Sequence, residues 1–178
     1  MRDLAEIVGR VAELERRVYG MMRHGTVAQV DAQKGLLRLD MGLPSEGGGD
    51  KFLGPWVPYA QHAGALKAHV PPSVGQQFTL MAPGGDWRQA VAVPFTWSND
   101  NPSPSTSQSE NVLTFGDATI TLKAGSLSIK VGDVTLKVSA EGVDVTGGHV
   151  KHNGKNIGDS HIHGGVMPGG STTDVPAN

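Results

Sequence analysis

Leu4, Ile7, Val11, Leu14 and Val18 step by three and four residues through positions 2–19. That spacing lines one narrow stripe of a helix, with Glu13, Glu15, Arg16 and Arg17 around it. The stripe suits a coiled-coil seam or docking on a neighbour, and equally an ordinary amphipathic helix packed on its own domain. Gly20 is the expected C-terminal stop. Two and a half heptads are marginal in isolation, so this helix (1–20) needs support from elsewhere.

Beyond it the period changes from 3.6 to 2. Thr26 to Val30 alternates, Asp31 to Gly35 has turn chemistry, and Leu36 to Asp40 alternates again. Gln77 to Met81 predicts a third strand. Pro83-Gly84-Gly85-Asp86 predicts a turn, and Arg88 to Val93 a fourth strand. With Trp56 to Tyr59 between them, these short strands over 21–98 predict a small Greek-key barrel of the oligonucleotide/oligosaccharide-binding type. Residues 99–110, NDNPSPSTSQSE, read as a polar linker.

Residues 111–160 carry a second alternating pattern. Val112 to Phe115, Ala118 to Lys123, Leu127 to Val131, Val134 to Val138 and Val143 to Thr146 are separated by two-residue breaks containing glycine. In each strand one face is β-branched or Leu, and the other is Thr, Ser, Lys or Asp. No helix or second sheet in the sequence covers the apolar face, and a lone ladder leaves open edges. Packing against the preceding barrel as a sandwich is one solution. Three ladders wound around a common axis solve both problems at once.

Composition narrows the classes of function. The 178 residues carry 25 Gly, 11 Pro and a net charge of −2. No basic excess points to nucleic acid. The absence of cysteine excludes disulfides, thiolate metal sites and Cys nucleophiles. No window approaches a transmembrane span. The opening Met-Arg-Asp-Leu-Ala-Glu is acidic early and lacks an apolar core, so no signal peptide is expected. Gly-x-Ser-x-Gly, His-Glu-x-x-His and the P-loop are all missing, so no catalytic residues are assigned.

The remaining chemistry lies in the histidines. His24, His62 and His69 have no ligand-like spacing, and His149 and His152, three apart, do not share a face of a strand. His161 and His163 do share one, and Gly164-Gly165 follow directly. Two imidazoles make a poor site in one chain. Three chains on an axis supply six nitrogens, an octahedral set suited to a transition metal and closed to substrate.

The helix, HGTVAQVDAQKGLLRLDMG with LGPWVPYAQHAG, PPSVGQQFTLMAPGGD and the ending GDSHIHGGVMPGGSTTDVP together resemble the baseplate assembly protein V family. These are the central tail spikes of contractile-tailed bacteriophages, related to type VI secretion spikes. The resemblance implies a mainly β homotrimer: N-terminal helix, barrel, an intertwined triple-stranded β-helix needle over 111–160, and a metal-bound apex over 161–178. It implies one iron ion per trimer held by His161 and His163 of each chain, with calcium and chloride ions inside the spike at unassigned residues. It further implies tail hub, tail tube and baseplate proteins as partners, residence in the virion, the host outer membrane as target, and no enzymatic activity. Some relatives carry a lysozyme domain between barrel and needle; residues 99–110 leave room only for a linker.

Two other readings remain open on the residues themselves. A receptor- or carbohydrate-binding tail module predicts exposed aromatic platforms, yet 116–165 contain no Trp, Tyr or Phe. A metalloenzyme predicts a third ligand beside His161 and His163, for which Asp159 is available.

Overall fold

The computed structural model describes residues 2–42 and 51–159, which fall into two compact units dividing between Ser103 and Pro104. The first unit opens with α1 (Arg2–Met21), which passes directly into β1 (Met22–Asp31). β2 (Leu36–Asp40), β3 (Val57–Pro58), β4 (Gln77–Met81) and β5 (Val91–Pro94) complete an antiparallel sheet in the order β3-β2-β1-β4-β5. Its two edges meet at a parallel bridge between Tyr59 and Ala92, where the Ala60 N–H donates to the Ala92 carbonyl at 2.8 Å. The sheet is therefore a nearly closed barrel, which removes most of its open edge.

A bulge in β1 shapes this barrel. Thr26 and Val27 pair with Asp40 and Leu39, but Gln29 pairs with Arg38, so Ala28 is the extra residue. Strict alternation would put Val27 and Val30 on opposite faces. The inserted residue turns both towards the core, and it bends β1 near the changeover from β4 to β2. Leu37, Leu39, Phe78, Leu80 and Ala92 fill the interior with them. No helix among the described residues is long and apolar enough to cross a membrane.

Two sequence expectations are corrected here. Gly20 does not stop the helix, which runs one residue further to Met21. The barrel caps its end: the Trp87 indole N–H donates to the Gly20 carbonyl at 3.0 Å, and the Ala82 N–H donates to the Met21 carbonyl at 2.8 Å. The strand expected from Arg88 begins only at Val91, because Trp87–Gln89 form a 3-10 turn. The Asp86 carboxylate accepts from both the backbone N–H and the Nε of Arg88, an N-cap that competes with strand pairing.

Gly85 lets the helix end approach the barrel. Its φ is +74°, and a Cβ there would lie 2.6 Å from the Arg17 carbonyl oxygen. Gly85→Ala is expected to lower the stability of the barrel unit by about 1–3 kcal/mol, read as a shift in urea midpoint. An unchanged midpoint would show that the docking is not tight.

The second unit is an antiparallel meander of β6 (Glu110–Phe115), β7 (Ala118–Lys123), β8 (Ser126–Val131), β9 (Val134–Ser139) and β10 (Gly142–Thr146). Gly116-Asp117 and Gly132-Asp133 join strands with φ values of +54° and +56° at the glycines, the first central position of a type II′ turn. A small hairpin of β11 (Lys151–His152) and β12 (Lys155–Asn156) follows.

Candidate functional site

Register converts the alternation in the meander into a surface. Leu113 pairs with Ile120, Ile120 with Ile129, Ile129 with Leu136, and Leu136 with Val145. A second row runs Leu122, Leu127, Val138, Val143, and a third runs Phe115, Ala118, Val131, Val134. Because side chains two apart share a face, all three rows lie on the same side of the sheet. The opposite side carries rows such as Thr121, Ser128, Lys137 and Asp144.

Among the described residues the apolar side is largely uncovered. Phe115 is 90% exposed and Leu113 71%, and Ile120, Leu122, Val131, Val134, Val138, Val143 and Val145 are also exposed. A contiguous apolar patch across five strands marks an interaction surface. The sheet edges, β6 and β10, are likewise unpaired among the described residues.

The start of the meander is fastened electrostatically. The Ser105 hydroxyl donates to Glu110 Oε1 at 2.6 Å, and the Lys123 ammonium lies 3.0 Å from Oε2. These two contacts, the hydroxyl first, hold the Glu110 carboxyl below its ordinary range. Glu110, expected at the end of a linker, is thus the first residue of β6.

The hairpin before the C-terminal segment was not anticipated from the sequence. Asn153 and Gly154 have φ values of +48° and +79°, the two positive angles of a type I′ turn, for which Asn-Gly is the strongest signal. After it, Ile157 N–H donates to the Val150 carbonyl, and Gly158 N–H donates to Asn156 Oδ1. His149 and His152 are exposed and are not brought together with a third ligand. His161 and His163, the expected metal ligands, lie outside the described residues. Among the described residues no three His, Cys, Asp or Glu side chains cluster as a metal site.

In the barrel unit, His24 stacks on Phe95 with ring centroids 4.2 Å apart and shares a 2.9 Å hydrogen bond with Thr79 Oγ1. That contact satisfies the buried Thr79 hydroxyl and is structural. A cavity of about 520 Å³ lies between Arg16, Tyr19, Arg23 and Trp87, and another of about 350 Å³ is lined by Gln61, His62 and Phe78. Neither set combines a nucleophile with a base.

Comparison with known proteins bears on both ends of this arrangement. Residues 23–97 match the family model of the type VI secretion system/phage-baseplate injector OB domain, and residues 159–177 match that of the GpV apex motif. The chain is also 30% identical over 114 residues to the spike protein of Escherichia phage P2, across 64% of this chain and 50% of that protein. The match thus spans half the length of the relative.

Proposed function

We propose that the chain is a member of the phage baseplate spike family with a mechanical role, on the strength of its matches to the injector OB domain and the apex motif and its similarity to the phage P2 spike protein. On this reading it is the central spike of a contractile tail, residing in the virion at the baseplate and joined there to the tail hub and tube. Three copies assemble, and their 111–160 segments form a three-sided β-helix needle in which each chain's β6–β10 meander supplies one face. Contraction drives this needle through the host outer membrane. It works by rigidity rather than turnover, with no catalytic residue.

One observation carries the reading: among the described residues of a single chain, the apolar face of the meander is complete in sequence and register yet largely uncovered, and its two edges are unpaired. Three copies related by an axis bury those faces against each other and pair their edges. His161 and His163 of each chain then converge as six imidazole nitrogens around one iron ion, a closed set that would clamp the chains where fraying begins. Calcium and chloride ions are further occupants of such an interior, at residues not assigned.

Light scattering combined with metal analysis tests this. The expected result is a mass of three chains with one metal ion per three. A one-chain mass overturns the needle, and one metal per chain favours an open, enzyme-like site instead.

A further inference from the structure

The apolar stripe of α1 is as uncovered as the needle face. Leu4, Ile7, Val11, Leu14, Val18 and Met21 are each 45–67% exposed, and the last of these extends the a/d spacing by one further position. Among the described residues the barrel grips the helix at its end, through Gly85 against Arg17 and the capped carbonyls of Gly20 and Met21. A helix of 20 residues is about 30 Å long and marginal in water unless its apolar face is buried.

The charges flanking the stripe indicate what buries it. With Leu4, Val11 and Val18 at a and Ile7, Leu14 and Met21 at d, Arg10 falls at g and Glu15 at the following e. Glu13, on the outer side, is already engaged by Arg16 at 2.8 Å and Arg17 at 2.7 Å. Among the described residues Arg10 and Glu15 enter no ion pair within the chain. In a parallel, in-register coiled coil, g of one helix meets the next e of its neighbour, so each interface gains an Arg10–Glu15 pair. An antiparallel arrangement brings g to g and e to e, setting like charges together.

We propose that α1 forms a parallel, in-register three-helix coiled coil with the same helix of two further copies of this chain, fixed in direction by Arg10–Glu15 pairs between chains. The number three rests on the trimer proposed above; the direction and register rest on the helix alone.

The full chain contains no cysteine, so one introduced thiol reports geometry cleanly. Leu4→Cys is expected to form interchain disulfides on oxidation. Antiparallel helices would hold these positions roughly 25 Å apart and give none. Arg10→Glu and Glu15→Arg are each expected to lower the midpoint of helix melting followed by circular dichroism, and the double swap to recover it. A wild-type mass of three chains with no disulfide, or with single swaps that change nothing, overturns the coiled coil and leaves the trimer standing. A one-chain mass for the wild type overturns both.

Discussion

Ile129→Lys is expected to abolish the three-chain assembly while leaving the barrel folded. Ile129 sits in the central strand of the meander, at the middle of the row from Leu113 to Val145. In the proposed needle it faces the axis, so an ammonium there has no partner and no water. Leaving a charge buried and unpaired costs about 3–5 kcal/mol, and a threefold assembly meets that cost in each chain. The neighbouring Ser128→Lys puts the same charge on the opposite face, beside Thr121 and Lys137, where it stays solvated. Facing Lys137 across the strand pair should cost that variant about 1 kcal/mol at most, well short of the buried charge. The chain separates the two outcomes spectroscopically, because Trp56, Trp87 and Trp97 all lie in the barrel unit. Tryptophan fluorescence should therefore be native in both variants, while light scattering shows three chains for Ser128→Lys and fewer, or aggregates, for Ile129→Lys. The reverse pattern would mean that the faces are assigned the wrong way round.

That prediction can be made residue by residue because the meander was legible before its structure. Strong period-2 alternation between glycine breaks placed β7 at its observed limits, and two-residue turns then dictate register. Elsewhere local pattern competed with something non-local. The helix outlasts Gly20 because Trp87, 67 residues away, satisfies its carbonyl. β5 starts late because Asp86 captures Arg88. The bulge at Ala28 leaves no mark in composition; only pairing with Arg38 and Leu39 reveals it. The 151–156 hairpin had its signal in Asn153-Gly154, but Lys, His and Asn in its strands offer no apolar alternation to draw attention to it. His161 and His163 lie outside the described residues, and their reading as metal ligands rests on their spacing and on the tail that follows them. The apex-motif match over 159–177 covers that same stretch.

Replacing both histidines, as His161→Ala with His163→Ala, is expected to remove the metal altogether and to lower the melting temperature of the needle with the barrel unchanged. The size follows from linkage. A metal that binds only the assembled needle stabilises it by RT ln(1 + [L]/Kd), about 4 kcal/mol at a thousandfold excess over Kd. One ion serves three chains, so its loss is felt by the whole needle and not by one protomer. The single variant His161→Ala would leave three nitrogens and should bind more weakly rather than not at all. Chelation of the wild-type trimer provides an independent route to the same state, and its melting curve should coincide with that of the double variant. If the double variant keeps its metal, the ligands lie elsewhere. If it loses the metal yet melts as the wild type does, the ion sits at the tip without holding the chains together, and the mechanical part of the proposal falls.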